Sequence, residues 1–563
     1  MLLSLLVWMY ITLVSLAWGN LFLKITAKLV KSEMDNIHPI IICLTGLGVT
    51  GIITSYLSLA LPIKAIIQLV IVIPALLFYC GKANRKTVTG QLKQIFTGYT
   101  LVTGILLIVC IAMTLVLSTY TITHPDTLSY HGQAIKWMET YKAVPGLVHL
   151  DYELAMSNLW FTLLALFRFD FLQSNPYLFT NGCIIAWFFI FVVQQISAGS
   201  KNHKQVFSWL LLLAFTTLSW TQVRLTAASA NPDFVAALFV WAAFYTYLYA
   251  GNNEGRSQLA ILALLFSCIA ITIKLSSIMI ALLPIVVIIR QFIITKKTVA
   301  IALLASCGLC ILPYLAHNYI TSGYPFFPSG FMGFFNADWQ IHADDLKAFQ
   351  TYITGYAHLP VESYPDAAEL LQKPFTQLLT LWWTHLALAD QALIVIVILL
   401  LIAAIFFLPA IIFSTSLHTK TALVVSFIGS VVWFIEAPDP RFGTAFLIPL
   451  AYLLYKGITV RVQLPAINNR WLSFAAVLVF AGIASYSTFR FIHYCNPSQL
   501  LIPAGIKSLP YNTFTCQDVK MHQTLNPEEC GLTPVPCTKD SCNTFELRGK
   551  NLTDGFRAAG EEE

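Results

Sequence analysis

Five groups of polar residues in this sequence could carry chemistry, and each lies where an apolar run ends. The first is Thr123-His124-Pro125-Asp126-Thr127-Leu128-Ser129-Tyr130-His131. Pro125 lacks an N–H and restricts the residue before it, so the preceding helix stops there and Asp126 falls just outside it. Asp126 could cap the next helix or act as a general base on a hydroxyl, and the segment alone leaves both open. Asp151 and Glu153 follow the turn Val144-Pro145-Gly146-Leu147. The second group is Ala230-Asn231-Pro232-Asp233, where Asp233 either complements a helix dipole or serves a site. The third is Lys274, between two short apolar runs, which either snorkels to head groups or binds an anion. The fourth runs from His317-Asn318-Tyr319 to Gly323-Tyr324-Pro325, a rigid aromatic turn that could simply pack. The fifth is Trp433-Phe434-Ile435-Glu436-Ala437-Pro438-Asp439-Pro440-Arg441. Its three charged groups could pair with one another, yet a guanidinium there also suits two phosphate oxygens.

The elements that must position these groups are membrane spans. Of the 563 residues, 57% are hydrophobic and 11% charged, less than half the charged share of a soluble chain. That excludes a water-soluble domain, a disordered tail and a fibrous repeat. Apolar blocks near 2–22, 38–60, 62–81, 98–120, 178–198, 206–220, 234–250, 258–273, 276–291, 298–316, 391–412, 422–436, 442–456 and 471–489 predict about 14 transmembrane helices in an all-α polytopic membrane protein. The connections alternate in sign. One set carries 17 basic residues against Glu33, Asp35 and Glu254, leaving 16 of 33 basic and 24 of 27 acidic residues to the other. Short basic loops face the cytoplasm, so the N-terminus, the connections 121–177 and 317–390 and the tail are expected outside, together with all five groups. The net charge of +6 therefore reports orientation, and no nucleic-acid partner is implied.

Ala17-Trp18-Gly19 could pass for a cleavage site, but no basic region precedes the apolar run, and an uncleaved first span is expected. In the polar tail, Cys516, Cys530, Cys537 and Cys542 could form two disulfides in any of three connectivities, as an extracytoplasmic segment permits. Three units are expected: N-terminal spans over 1–97, a central module over 98–490 with its two long loops, and a cysteine-bearing C-terminal segment over 491–563.

A carboxylate just outside the membrane, cations at span ends and a wall of aromatic residues suit a lipid-linked phosphate carrying a sugar. The carboxylate would take a proton from an acceptor hydroxyl and the cations would stabilise the departing phosphate. The stretch Asp126 to His131 with Lys136-Trp137 and Val144-Pro145-Gly146-Leu147 resembles the first extracytoplasmic loop of the GT-C superfamily of integral-membrane glycosyltransferases. Within it, the chain is similar to an uncharacterised bacterial family of multi-spanning proteins. Asn318 to Pro325, Ala437 to Phe442, and the tail motifs Leu547-Arg548-Gly549 and Asp554-Gly555-Phe556 carry the rest of the resemblance, over roughly 98–563.

The resemblance implies a GT-C-like helical fold in the bacterial inner membrane, with Asp126 as catalytic base. It also implies Arg441 as the phosphate-binding candidate, and the polar groups at the span ends offer His131, Asp233, Lys274, His317, Tyr324, Glu436 and Asp439 as further substrate-binding candidates. His317 stands where the family pattern suggests an Arg. The partners implied are a polyprenyl-phosphate sugar donor, a cell-envelope glycan or lipid acceptor, and the bilayer. No cofactor is specified. A divalent cation held by Asp126 with Asp151, Glu153 or Asp233 is one option, and none is the other. Two rival readings remain: a polysaccharide polymerase or ligase acting on an undecaprenyl-diphosphate-linked glycan, with essential arginines rather than an essential Asp126, and a lipid or glycan transporter. A short distance from Asp126 to Arg441 within one cavity separates the enzyme readings from an arrangement that scatters these residues around the bundle.

Overall fold

In the computed structural model, the described residues are 1–30, 37–121, 124–168, 179–198, 209, 211, 226–251, 257–294, 297–361, 363–409, 412, 415–459, 469–504, 509–516, 519–526, 529–539 and 545–559. Thirteen of the 14 apolar blocks fall on helices there; the block at 206–220 lies almost wholly outside the described residues. Among the described residues, eight helices are long and apolar enough to cross a membrane: Leu2–Val30, Pro39–Ser58, Thr180–Ser197, Asp233–Gly251, Leu275–Ile293, Lys297–Ser322, Leu417–Glu436 and Asn469–Tyr494. Ala65–Cys80 and Lys82–Ile95 make a ninth if a pair bent by 100° is one span. Leu101–Leu117, Ser257–Ile273 and Leu388–Phe406 are shorter apolar helices. The spans are thus fewer by length than the apolar blocks, because several blocks end at a Pro, a polar cap or a charged residue before reaching about 20 residues.

Local chemistry sets the helix starts. Thr100 and Thr103 form a reciprocal capping box, Ser416 accepts from the Thr419 amide, and Asp439 accepts from the Arg441 amide with Pro440 in the first turn. Helices Leu2–Val30 and Pro39–Ser58 pack backbone to backbone at Gly46, where a Cβ would strike the Ser15 carbonyl. Most of the core is a continuous apolar cluster that runs from the first helix through Trp160, Phe189, Phe239, Phe266 and Phe446. Pro39–Ser58 and Asp233–Gly251 lie inside it, whereas Lys297–Ser322 and Asn469–Tyr494 present Ile301, Leu304, Leu478 and Val479 outward, as a lipid-facing surface requires.

The all-helical expectation is corrected in the tail. β1 (Tyr511–Cys516) pairs antiparallel with β2 (Val519–Thr524), with Tyr511 opposite Thr524, and β3 (Phe545–Leu547) pairs antiparallel with β4 (Phe556–Ala558). Exposed Thr513 and Thr515 alternate with covered Phe514 and Cys516, which suits a strand with one covered face, a pattern too short to outweigh the helical bulk of the chain. Cys530 and Cys537 are joined by a disulfide, and Cys516 is also disulfide-bonded. Cys542 lies outside the described residues.

Candidate functional site

The carboxylate of Asp126 does not cap a helix. Residues Thr127–His131 form one π-helical turn, Asp126 precedes it in αR conformation, and its side chain makes no cap hydrogen bond. Instead the carboxylate is 36% exposed and faces a cavity, with its Oδ2 4.0 Å from Arg441 NH1. The turn is fixed from behind, where Thr127 Oγ1 accepts from the Ala230 amide at 3.2 Å. Asn231 joins the same framework. Its Oδ1 accepts from the Asp233 amide at 2.8 Å and its amide nitrogen lies 2.7 Å from His124 Nε2.

Asp233, in the first turn of its helix, pairs directly with the Lys274 ammonium and lies 3.9 Å from Arg441 NH1. Lys274 sits where helix Ser257–Ile273 gives way to the 3₁₀ segment Leu275–Ala281, and its ammonium stacks 3.5 Å from the centre of the Phe442 ring. Arg441 Nε donates to Asp439 Oδ2 at 2.7 Å, and the Asp439 cap holds the Arg441 backbone. Two indoles pin the turn that presents this arginine. Trp433 Nε1 donates to the Asp439 carbonyl at 2.7 Å and Trp382 Nε1 to the Pro438 carbonyl at 2.8 Å. Separations of 3.9 and 4.0 Å from NH1 to Asp233 and Asp126 exceed hydrogen-bond range, so the outer fork of the guanidinium keeps free donors toward the cavity.

The cavity holds about 480 Å³ and is lined by Asp126, Ser129, Tyr130, His131, Glu153, Asp233, Lys274 and Arg441 at its polar end. Phe327, Phe349, Tyr352 and Tyr356 form an aromatic wall. Burial holds the His131 imidazole at about 3, and the nearby carboxylates only partly oppose this, so the ring is neutral at ordinary pH. Its Nδ1 is buried and has no hydrogen-bond partner among the described residues. Burial, with the Asp151 carboxylate beside it, raises Glu153 to about 7. Among the described residues, no three His, Cys, Asp or Glu side chains form a metal-binding group.

The structure thus brings Asp126, His131, Asp233, Lys274 and Arg441 into one cavity and places Asp439 directly behind Arg441. Three candidates stand elsewhere. His317 is buried on an inward face of helix Lys297–Ser322, a helix turn before the loop begins. Tyr324 is buried in a small separate cluster with Phe327 and Phe349 and contributes packing there. Glu436, the last residue of its helix, is exposed outside the cavity. Residues the motifs did not single out enter from far along the chain. Glu529 lines the cavity, and Lys539 reaches Ser129, Asp151 and Glu153. Neither sits in a recognisable motif, so sequence spacing carried no signal for them.

Fold and site together define a multi-spanning helical membrane protein with a charged, aromatic-walled cavity at one end of its bundle. Over residues 1–448 the chain belongs to the family described as Domain of unknown function (DUF8201). No curated protein and no solved structure matches it.

Proposed function

We propose that the protein is a GT-C-type membrane glycosyltransferase that moves a sugar from a polyprenyl-phosphate donor to an extracytoplasmic cell-envelope glycan or lipid. The observation that carries this reading is the opposition of a cavity-facing Asp126 carboxylate, free of any capping role, to the open fork of Arg441 at 4.0 Å, with Lys274 alongside. In the reaction, the acceptor oxygen attacks the anomeric carbon while its proton passes to Asp126. The anomeric C–O bond to phosphate breaks, and the phosphate leaves with that electron pair. Arg441 and Lys274 face the oxygens on which the charge develops. Asp233, paired to Lys274 and close to Arg441, aligns the two cations. Tyr352 and Tyr356 offer faces for a sugar ring, and the neutral His131 offers it a hydrogen bond. No covalent nucleophile is needed.

An extracytoplasmic site is supported by the disulfide Cys530–Cys537, which lies in the tail loop against the cavity, since such bonds persist in oxidising compartments. The 14-span count and the bacterial inner membrane belong to the same proposal. The test is transfer of labelled sugar from a panel of polyprenyl-phosphate sugars to an envelope lipid extract by purified protein in vesicles. Asp126→Asn should lower transfer by roughly 10²–10⁴-fold with unchanged melting. Undiminished transfer in that variant removes Asp126 as the base, and loss confined to Arg441 variants points to a diphosphate-linked donor.

A further inference from the structure

The C-terminal segment reaches back across the cavity through a loop closed by Cys530–Cys537. The loop docks through its own backbone groups. The Gly531 amide donates to the Leu128 carbonyl at 2.5 Å, and Gln133 Nε2 donates to the Gly531 and Thr533 carbonyls at 3.3 and 2.9 Å. Just beyond this loop, Lys539 Nζ donates to Ser129 Oγ at 2.9 Å, to Glu153 Oε2 at 2.8 Å and to Asp151 Oδ2 at 2.9 Å. One ammonium thereby spends its three donors on two carboxylates and a hydroxyl, and two of these, Ser129 and Glu153, face the cavity.

We propose that Lys539 is a positioning residue of the cavity: it favours the ionised form of Glu153 and fixes it in the wall beside Asp126, as a second acceptor for substrate hydroxyls. The charge coupling stands on the contacts alone, whereas the role toward hydroxyls rests on the glycosyl-transfer reading above. The groups that face Glu153 are Asp151 on its own segment, Lys539 from the tail, and Asp126 and Tyr130 from the catalytic turn. Tyr356 and Tyr364 face it from the helices Ala343–His358 and Tyr364–Leu371. Of these, Lys539 is the one cation. A buried carboxylate with carboxylate neighbours favours the neutral form, so losing the ammonium makes ionisation costly.

The sign of the effect follows. Burial and Asp151 raise Glu153 above its unfolded value of about 4.3, so its contribution to stability is complete at low pH and declines as pH rises through about 7. Removing Lys539 raises Glu153 further and deepens that decline. The full-length protein in detergent is therefore melted between pH 5 and pH 8 as wild type, Lys539→Met, Lys539→Arg and Glu153→Gln/Lys539→Met. The Lys539→Met deficit should widen toward pH 8 by roughly 2–4 °C, while Lys539→Arg recovers most of it. The double variant should melt above Lys539→Met at pH 8, since only one of the two carboxylates, Asp151, is then left without the ammonium. A deficit equal at pH 5 and pH 8, or a double variant no better than the single, overturns the proposal. If Lys539→Met does not fold, a folded double variant supports the coupling and an unfolded one overturns it. In the transfer assay, the double variant should lose at least 10-fold in turnover, and unchanged turnover removes the acceptor role of Glu153. Positive melting results with no transfer by any variant, wild type included, overturn the glycosyltransferase reading and leave the Lys539–Glu153 coupling in place.

Discussion

Arg441 differs from a generic surface cation in how its donors are divided. The Nε and the backbone N–H are both committed to Asp439, which locks the guanidinium plane, and the outer fork remains for the cavity. A lysine would keep the charge and lose both the lock and the fork. Arg441→Lys should therefore lower transfer by about 10²-fold with little change in melting temperature, and steady-state assays alongside thermal melts check both halves. Lys274 makes a complementary case. Lys274→Met leaves Asp233 buried with only a 3.9 Å contact to Arg441, which should cost roughly 2–4 kcal/mol in a denaturant titration. Adding Asp233→Asn should return most of it. His131 supplies a pH signature. Its folded-state value of about 3 lies below the ordinary imidazole range, so the unfolded chain binds more protons and stability falls as pH drops below about 6.5. His131→Gln should flatten the acid limb of a melting-versus-pH curve. At this scale the sequence was informative for most charges at a span end, with Glu436, exposed outside the cavity, as the exception. Arg441 was visible because Pro440 marks where its helix starts; Pro125, expected to stop the preceding helix, instead opens the helical turn of Asp126, because that helix already ends at Leu117. His317 sits one turn inside a helix, and which face it takes is decided by packing that spacing does not encode.

Short elements carry the precision of the site. The turn Ala437 to Asp439 is held by Trp433 and Trp382, whose N–H groups satisfy carbonyls that would otherwise be left open. Trp433→Phe keeps the ring against Gly443 and removes one hydrogen bond, so stability should fall by only about 1 kcal/mol. The turn that carries Asp439, and through it Arg441, would lose one restraint, so the fall in transfer should exceed what that destabilisation explains, a split that parallel melts and assays reveal. The turn at Gly146 is a second such element. Gly146 has φ +69° and packs against the Phe556 carbonyl, while the Phe556 amide donates to Pro145 O at 3.0 Å. Val144-Pro145-Gly146-Leu147 was recognisable as a turn from its Pro and Gly. Its partner, the Asp554-Gly555-Phe556 motif of the tail, was recognisable only as a resemblance. The structure explains that pairing, because the tail lies over the turn and β4 begins there. The tail strands themselves were not legible, since runs of three to six residues carry little periodicity.

For the whole molecule, the alternation of charge is the strongest statement the sequence makes. It places the five polar groups, the long loops and the tail at one end of the bundle, and the structure brings Asp126, Asp233, Lys274, Arg441 and the tail residues Glu529 and Lys539 together. The opposite end carries Lys82, Arg85, Lys86 and Lys93 on the helix bent away from Ala65–Cys80, and Lys420 and Lys456. That basic end should face the cytoplasm and the cavity end the outside. Because Glu529 lines the cavity and Lys93 is exposed at the basic end, two substitutions read the orientation directly. With Cys80 and Cys495 replaced by Ser to lower background, Glu529→Cys in intact cells should react with a membrane-impermeant maleimide. Lys93→Cys should react only after the membrane is opened. Non-reducing peptide mapping of the same preparation should recover the Cys530–Cys537 link, showing that the tail beside residue 529 is native. Labelling in the reverse order would put Asp126 and Arg441 in the cytoplasm. It would leave their geometry intact and exclude an extracytoplasmic acceptor, so the experiment separates the shape of the site from the side of the membrane on which it works.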